Sequence, residues 1–252
     1  MRFTGGIFDI DGVVLATPHE RAWRDALEQL MAGPWRDLAP GTDYSVGRFT
    51  NAVYQEQVAG KPREAGAAAA LAYFHISDPD GSRTRQYADL KQRLLEQLAA
   101  AGEFHAYDDA LRFLLRLKAS GVRTCAASSS KNADAFLRAI AIDAFCVQHG
   151  LAYPFVSEKT TLLDLFDANV DGADVPHGKP APDLYLAAVA ALGEDPGRCF
   201  VVDDAPVGIQ AAKAGGMYAI GVARHDDAAL LYAAQADVVV ERLDALDPAA
   251  LH

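Results

Sequence analysis

The stretch GGIFDIDGVV, residues 5–14, reads as a buried strand, with Ile7, Phe8, Ile10, Val13 and Val14 all apolar. Yet it carries Asp9 and Asp11, with Gly12 directly after. Buried carboxylates are costly unless they are paired, hydrogen-bonded or bound to a metal. Two of them closing an apolar strand therefore mark a site. In an extended segment, residues two apart lean to the same side, so Asp9 and Asp11 are expected to share one.

From about residue 104 onward, short apolar runs alternate with helical patterns. The helical patterns are FHAYDDALRFLLRLKASG (104–121), KNADAFLRAIA (131–141), PAPDLYLAAVAALG (180–193), VGIQAAKAGG (207–216) and DDAALLYAAQ (226–235). Gly121 and Gly193 close two of them, and Pro182 opens one. The strands between are VRTCAASSS, RCFVVDDA, MYAIGVA and DVVVERL. This alternation predicts an α/β fold, a Rossmann-like doubly wound parallel sheet with helices on both faces. The first strand, residues 3–10, stands apart from the series. Residues 17–102 hold only helical spacing, as in HERAWRDALEQLM and RQYADLKQRLLEQLAAAG. They are expected to form a helical insert, the sheet domain being 1–16 with 103–252. The alanine run 67–70 is expected on a packed helix face. Residues 146–178 show no clean period and are expected to be irregular, with one short strand near 165–170.

The chain has 252 residues, 51% hydrophobic and 23% charged, with a formal net charge of −11. That balance argues against nucleic acid or an anionic membrane as partner, since both need a basic face. Cys125, Cys146 and Cys199 are far apart and form no CxxC pair. Buried free thiols and a reducing cytoplasm are the expectation. Acidic residues interrupt the N-terminal apolar run at position 9, so it reads as neither a signal peptide nor a membrane span. A monomer is expected.

Open parallel sheets bind ligands at the carboxyl ends of their strands. There the sequence gathers Asp9 and Asp11, Ser128-Ser129-Ser130-Lys131-Asn132, and Asp203-Asp204, while Lys179 stands just before a helix. Crowded carboxylates repel, and a hard cation with oxygen ligands relieves them. Magnesium, which accepts carboxylates, waters and a substrate phosphate, suits the set. Ser128 followed by backbone amides at a helix start predicts an anion cradle, and Lys179 supplies a positive charge. The combination suits phosphoryl transfer, with one carboxylate as nucleophile and another as general acid and base.

In order along the chain, FDIDGVV, AASSSKN, GKPAPDLYL and VVDDAPVGIQAAKAGG resemble the four motifs of the haloacid-dehalogenase-like superfamily of phosphotransferases. The resemblance implies that Asp9 is the phosphorylated nucleophile. Asp11 is then the general acid and base and lends its carbonyl to magnesium. Ser128 and Lys179 bind the transferring phosphoryl group. Asp204 is a direct metal ligand, and Asp203, where the family often has Glu, is a ligand through water or a partner behind the metal. The dehalogenating branch lacks the second aspartate, so Asp11 favours phosphate chemistry.

The insert resembles the small helical cap of the β-phosphoglucomutase-like subgroup. The stretch TPHERAW resembles a Thr followed by His-x-x-Ala-Trp, giving Thr17 and His19. The loop VAGKPREAG resembles one whose arginine grips a distal phosphate, giving Arg63. Ser130, Lys131 and Asn132, with Ser129 beside them, match sugar-phosphate contacts. The implied substrate is a small phosphorylated metabolite, a phosphosugar. The implied activity is a phosphatase or, alternatively, a phosphomutase interconverting β-glucose 1-phosphate and glucose 6-phosphate. A phospho-receiver domain shares the acidic pocket but is about half as long, and its acidic pair precedes its phosphorylated aspartate.

Overall fold

The computed structural model describes residues 3–171 and 175–251. The chain forms two compact units, one of residues 1–16 with 105–252 and one of Thr17–Phe104. The second junction falls slightly later than 102.

The strands of the first unit are β1 (Gly5–Phe8), β2 (Leu15–Ala16), β3 (His105–Ala106), β4 (Arg123–Ser128), β5 (Ala168–Asp171), β6 (Cys199–Asp203), β7 (Tyr218–Val222) and β8 (Val238–Val240). Six of them make one sheet in the order β5-β4-β1-β6-β7-β8. Every pairing in it is parallel. β1 is central, so the strand order reverses on either side of it, which opens a crevice at its carboxyl end. β2 and β3 pair separately and antiparallel.

Four helices build the Thr17–Phe104 unit: α1 (His19–Ala32), α2 (Asn51–Gln57), α3 (Arg63–Tyr73) and α4 (Ser82–Ala100). Their apolar stripes meet in one core holding Trp23, Leu27, Leu30, Phe49, Leu71, Phe74 and Tyr87. Ala67 and Ala70 are fully buried there, as expected of a packed face. Tyr87 lies edge-on to Trp23 and donates its hydroxyl hydrogen to the Trp23 carbonyl at 2.9 Å. Thr50 caps α2, its hydroxyl accepting from the Val53 amide at 3.3 Å.

Around the sheet lie α5 (Asp108–Ser120), α6 (Ala133–Ala139), α7 (Ile142–His149), α8 (Asp183–Leu192), α9 (Pro206–Ala214), α10 (Ala228–Ala233) and α11 (Pro248–Leu251). Side chains alternate across β1. Ile7 packs with Leu184, Ile209 and Leu231 from α8, α9 and α10. Phe8 points to the other face, with ring centroids about 6 Å from Phe113 of α5, Phe166 and Phe200. Both faces are therefore covered, and the doubly wound α/β fold is confirmed. All three cysteines are buried and unbridged. Among the described residues no helix is long and apolar enough to cross a membrane.

Two expectations need correction. The first strand runs over Gly5–Phe8 rather than residues 3–10, and from Ile10 the chain turns: the Ile10 carbonyl accepts from the amides of Val14 and Leu15 at 3.0 and 2.9 Å. Asp9 precedes this turn and Asp11 opens it. Residues 146–178 are not wholly irregular either. α7 runs into them, with Ile142, Phe145 and Cys146 on one buried face and Gly150 in the left-handed region at its end. The short strand expected near 165–170 is β5. Gly172, Ala173 and Asp174 lie outside the described residues.

Candidate active site

The polar residues converge at the carboxyl ends of β1, β4 and β6. Asp9 follows β1, and its amide still donates to the Val202 carbonyl at 3.0 Å. Lys179, from the loop before α8, is fully buried and donates to Asp9 Oδ1 at 2.5 Å and to Asp203 Oδ2 at 2.8 Å. Tyr185, on the first turn of α8, donates its hydroxyl hydrogen to the same Asp203 oxygen, and its ring centroid lies 5.0 Å from Nζ. The other Asp203 oxygen accepts from the Ala205 amide at 2.8 Å. Both oxygens of Asp203 are thus committed to holding Lys179 and the start of α9. No side chain fits between: a Cβ on residue 208 would stand 1.7 Å from the Asp203 carboxylate, so Gly208 is required.

Asp204 diverges from its neighbour, as adjacent residues at a strand end do. It packs against the turn after Asp11. Gly12 has φ +89°, and a Cβ there would fall 1.9 Å from the Asp204 carboxylate. Ser128, at the end of β4, is buried, and its hydroxyl reaches Asp11 Oδ2 at 3.5 Å.

Burial pushes the Asp9 carboxyl up to about 7, with Lys179 opposing and Asp203 and Asp11 adding to the rise. Asp204 is also raised well above its ordinary value, again by burial first and then by Asp203 and Asp9. Burial opposes the charge on Lys179, but Asp203 and Asp9 outweigh it and keep the ammonium protonated. One ammonium, already shared by Asp9 and Asp203, does not neutralise this cluster. The donor set is all oxygen and suits a hard divalent cation held by two carboxylates. Among the described residues no three His, Cys, Asp or Glu side chains form a closed cage.

The remaining expected site residues are less converged. In the loop after β4 the Ser128 hydroxyl accepts from the Ser130 amide at 3.0 Å, and the Ser130 hydroxyl accepts from the Asn132 amide at 3.3 Å. Two of the amides expected to cradle an anion are therefore engaged within the loop. Ser129 is half-buried there and Lys131 exposed. Thr17, His19 and Arg63 all belong to the helical unit: Thr17 precedes α1, His19 opens it and Arg63 opens α3. His19 Nδ1 lies 3.1 Å from Lys91 Nζ, and Lys91 is buried with its ammonium 5.1 Å from the Trp23 ring centroid. Lys91 escaped the sequence reading although it sits in the buried stripe Tyr87, Ala88, Lys91, Leu95 of α4. Tyr185 escaped because a tyrosine among Leu184, Ala188 and Val189 reads as plain core.

The model of haloacid dehalogenase-like hydrolases matches residues 6–216. β-Phosphoglucomutase of Bacillus subtilis (strain 168) is 30% identical over 226 residues, covering 86% of this chain and 81% of its own. Validoxylamine A 7'-phosphate phosphatase of Streptomyces hygroscopicus subsp. limoneus is 42% identical over 89 residues, 34% of this chain and 41% of that one. The crystal structure of an archaeal β-phosphoglucomutase from Pyrococcus sp. strain ST 04 matches with a TM-score of 0.68 and 28% identity, covering 98% of this chain and 96% of that one. With acidic, hydroxyl and lysine groups gathered at the strand ends and the match spanning four ordered motifs, the chain belongs to the haloacid dehalogenase-like hydrolases, as an enzyme of phosphatase or phosphomutase type.

Proposed function

We propose that the protein is a magnesium-dependent phosphatase of a small phosphorylated metabolite, a phosphosugar, working through an aspartyl-phosphate on Asp9. The observation that carries this reading is the buried chain Tyr185–Asp203–Lys179–Asp9, which fixes one carboxylate and one cation where a phosphoryl group would arrive. An Asp9 oxygen attacks phosphorus and the ester P–O bond breaks. Asp11, carboxylic acid at that moment, gives its proton to the leaving oxygen. Its carboxylate then takes a proton from water, which attacks phosphorus and releases inorganic phosphate from Asp9. Lys179 and Ser128 bind the phosphoryl oxygens as charge builds on them. The carboxylates of Asp9 and Asp204 and the Asp11 carbonyl would hold magnesium, which would supply charge neutralisation for the incoming phosphate. Asp203 serves behind the metal by orienting Lys179.

The relatives named β-phosphoglucomutase favour a second reading, in which a sugar hydroxyl rather than water takes the phosphoryl group from Asp9. On both readings Arg63 grips a second anionic group of the substrate bidentately, Thr17 and His19 assist, and the 129–132 loop contacts the sugar phosphate. A panel of phosphosugars with magnesium, including β-glucose 1-phosphate primed by glucose 1,6-bisphosphate, separates the two. Inorganic phosphate as the product supports the phosphatase, and glucose 6-phosphate formed faster than phosphate establishes the mutase. Full turnover in excess chelator, or with Asp9→Asn, would overturn both.

A further inference from the structure

The residue after Ala223, just past β7, sends a guanidinium into the interior that the chemistry above leaves unused. Arg224 Nη2 donates to the Val13 carbonyl at 2.9 Å, and its Nε donates to the Gly12 carbonyl at 3.4 Å. Its Nη1 donates to both oxygens of Asp109, at 3.1 and 2.9 Å, and to the Glu241 carbonyl at 3.4 Å. Asp109, on the first turn of α5, also accepts from the Leu243 amide at 2.7 Å. The guanidinium carbon lies 3.9 Å from the Tyr107 ring centroid. The two charged side chains are only 8% and 5% exposed.

A buried ion pair is poor evidence of a stabilising role, since an apolar pair of like volume often does as well. What an apolar pair lacks is donors, and these donors go to two successive carbonyls of the turn that carries Asp11. The same turn is closed by the Gly12 amide donating to Leu15 at 2.8 Å and is tied to Tyr107, whose amide donates to the Val14 carbonyl at 3.0 Å. Its Gly12 packs on Asp204. We propose that Arg224, oriented by Asp109 and stacked on Tyr107, is the positioning residue for Asp11, fixing its turn from behind. The proposal rests on the reading of Asp11 as general acid and base. Lysine cannot replace the arginine, because one ammonium cannot span a carboxylate and two carbonyls as a planar fork does.

The test compares two leaving groups through kcat/KM, which covers the steps up to phosphorylation of Asp9. A phosphosugar expels a strongly basic alkoxide and needs the proton of Asp11. p-Nitrophenyl phosphate expels a weakly basic phenolate and hardly needs it. Arg224→Lys is expected to lower kcat/KM for the best phosphosugar of the panel by at least about tenfold, within the range that acid catalysis supplies. For p-nitrophenyl phosphate the loss should stay under about threefold, on a residual acid requirement that small. Loss by the same factor on both substrates, or on neither, overturns the proposal. If Arg224→Lys does not fold, Asp109→Asn reports the same ratio, since it removes the charge that orients Arg224 while keeping an acceptor for Leu243. The functional reading fails in a different way, by a wild type that releases phosphate from neither substrate.

Discussion

Asp203 accepts from three donors, Lys179, Tyr185 and the Ala205 amide, and has no oxygen to spare, so its partners decide how firmly Lys179 is placed. Tyr185→Phe removes one hydrogen bond to a buried carboxylate and leaves the ring in place. The expected cost is about 1.5–3 kcal/mol, read by urea denaturation. An unchanged midpoint would show that the hydroxyl does not serve Asp203. Gly12→Ala forces a Cβ into the Asp204 carboxylate at a backbone angle that alanine resists. It is expected to lower kcat for phosphoryl transfer by at least about a hundredfold, as misplacement of reacting groups does. Retention of more than a tenth of wild-type kcat would argue that the turn and Asp204 are not coupled. At this scale the acids were legible because a carboxylate in an apolar run is anomalous wherever it occurs. Tyr185, Asp109 and Arg224 were not. A tyrosine on an apolar stripe, an aspartate on a first turn and an arginine after a strand are each ordinary until the fold brings distant backbone beside them.

Elements with clear punctuation were read with small errors. α5 and α8 end in Gly121 and Gly193, both in the left-handed region, where the sequence put them. α7 was missed because its eight residues offer one short buried face and a weak apolar contrast. The overlong first strand has another cause: Ile10 is fully buried like a strand residue, but its carbonyl serves a turn. At the head of α4, Asp78 accepts from the amides of Arg83 and Thr84 at 3.0 and 2.9 Å and from the Thr84 hydroxyl at 2.6 Å. Despite a desolvation cost, the hydrogen bonds from Thr84 and Arg83 hold its carboxyl below the ordinary 3.8. A depressed carboxyl stabilises the fold above its unfolded value and loses that contribution as pH falls through the folded value. Asp78→Ala should therefore cost about 1 kcal/mol at neutral pH, with the difference from wild type vanishing in acid. Urea titrations at pH 7 and at pH 2.5 check this, and an equal gap at both would rule the carboxylate out as the cap.

Across the molecule, the buried acids of the first unit outnumber the cation beside them, so a divalent ion should bind the folded chain in preference to the unfolded one. Magnesium at a hundred times its Kd would contribute about 2.7 kcal/mol, raising the thermal midpoint of that unit by roughly 5–10 °C. Asp204→Ala should remove most of the shift, and a midpoint indifferent to magnesium in the wild type would deny the site. The antiparallel pair β2·β3 carries a further consequence. Its last paired residues are Ala16 and His105, so the chain leaves and rejoins the sheet unit at two facing positions of one ladder. Topologically, everything from Thr17 to Phe104 is the loop of a β-hairpin, and a hairpin can be closed by two residues. Replacing 17–104 with Asn-Gly should yield a miniature protein that melts cooperatively, because β1 still meets β4 and β6 and the helical core is self-contained. Such a miniature would keep Asp9, Asp11, Ser128, Lys179 and Asp204, and is expected to cleave p-nitrophenyl phosphate while no longer distinguishing one phosphosugar from another. The choice of substrate would then reside wholly in what is inserted at a single turn of the catalytic sheet.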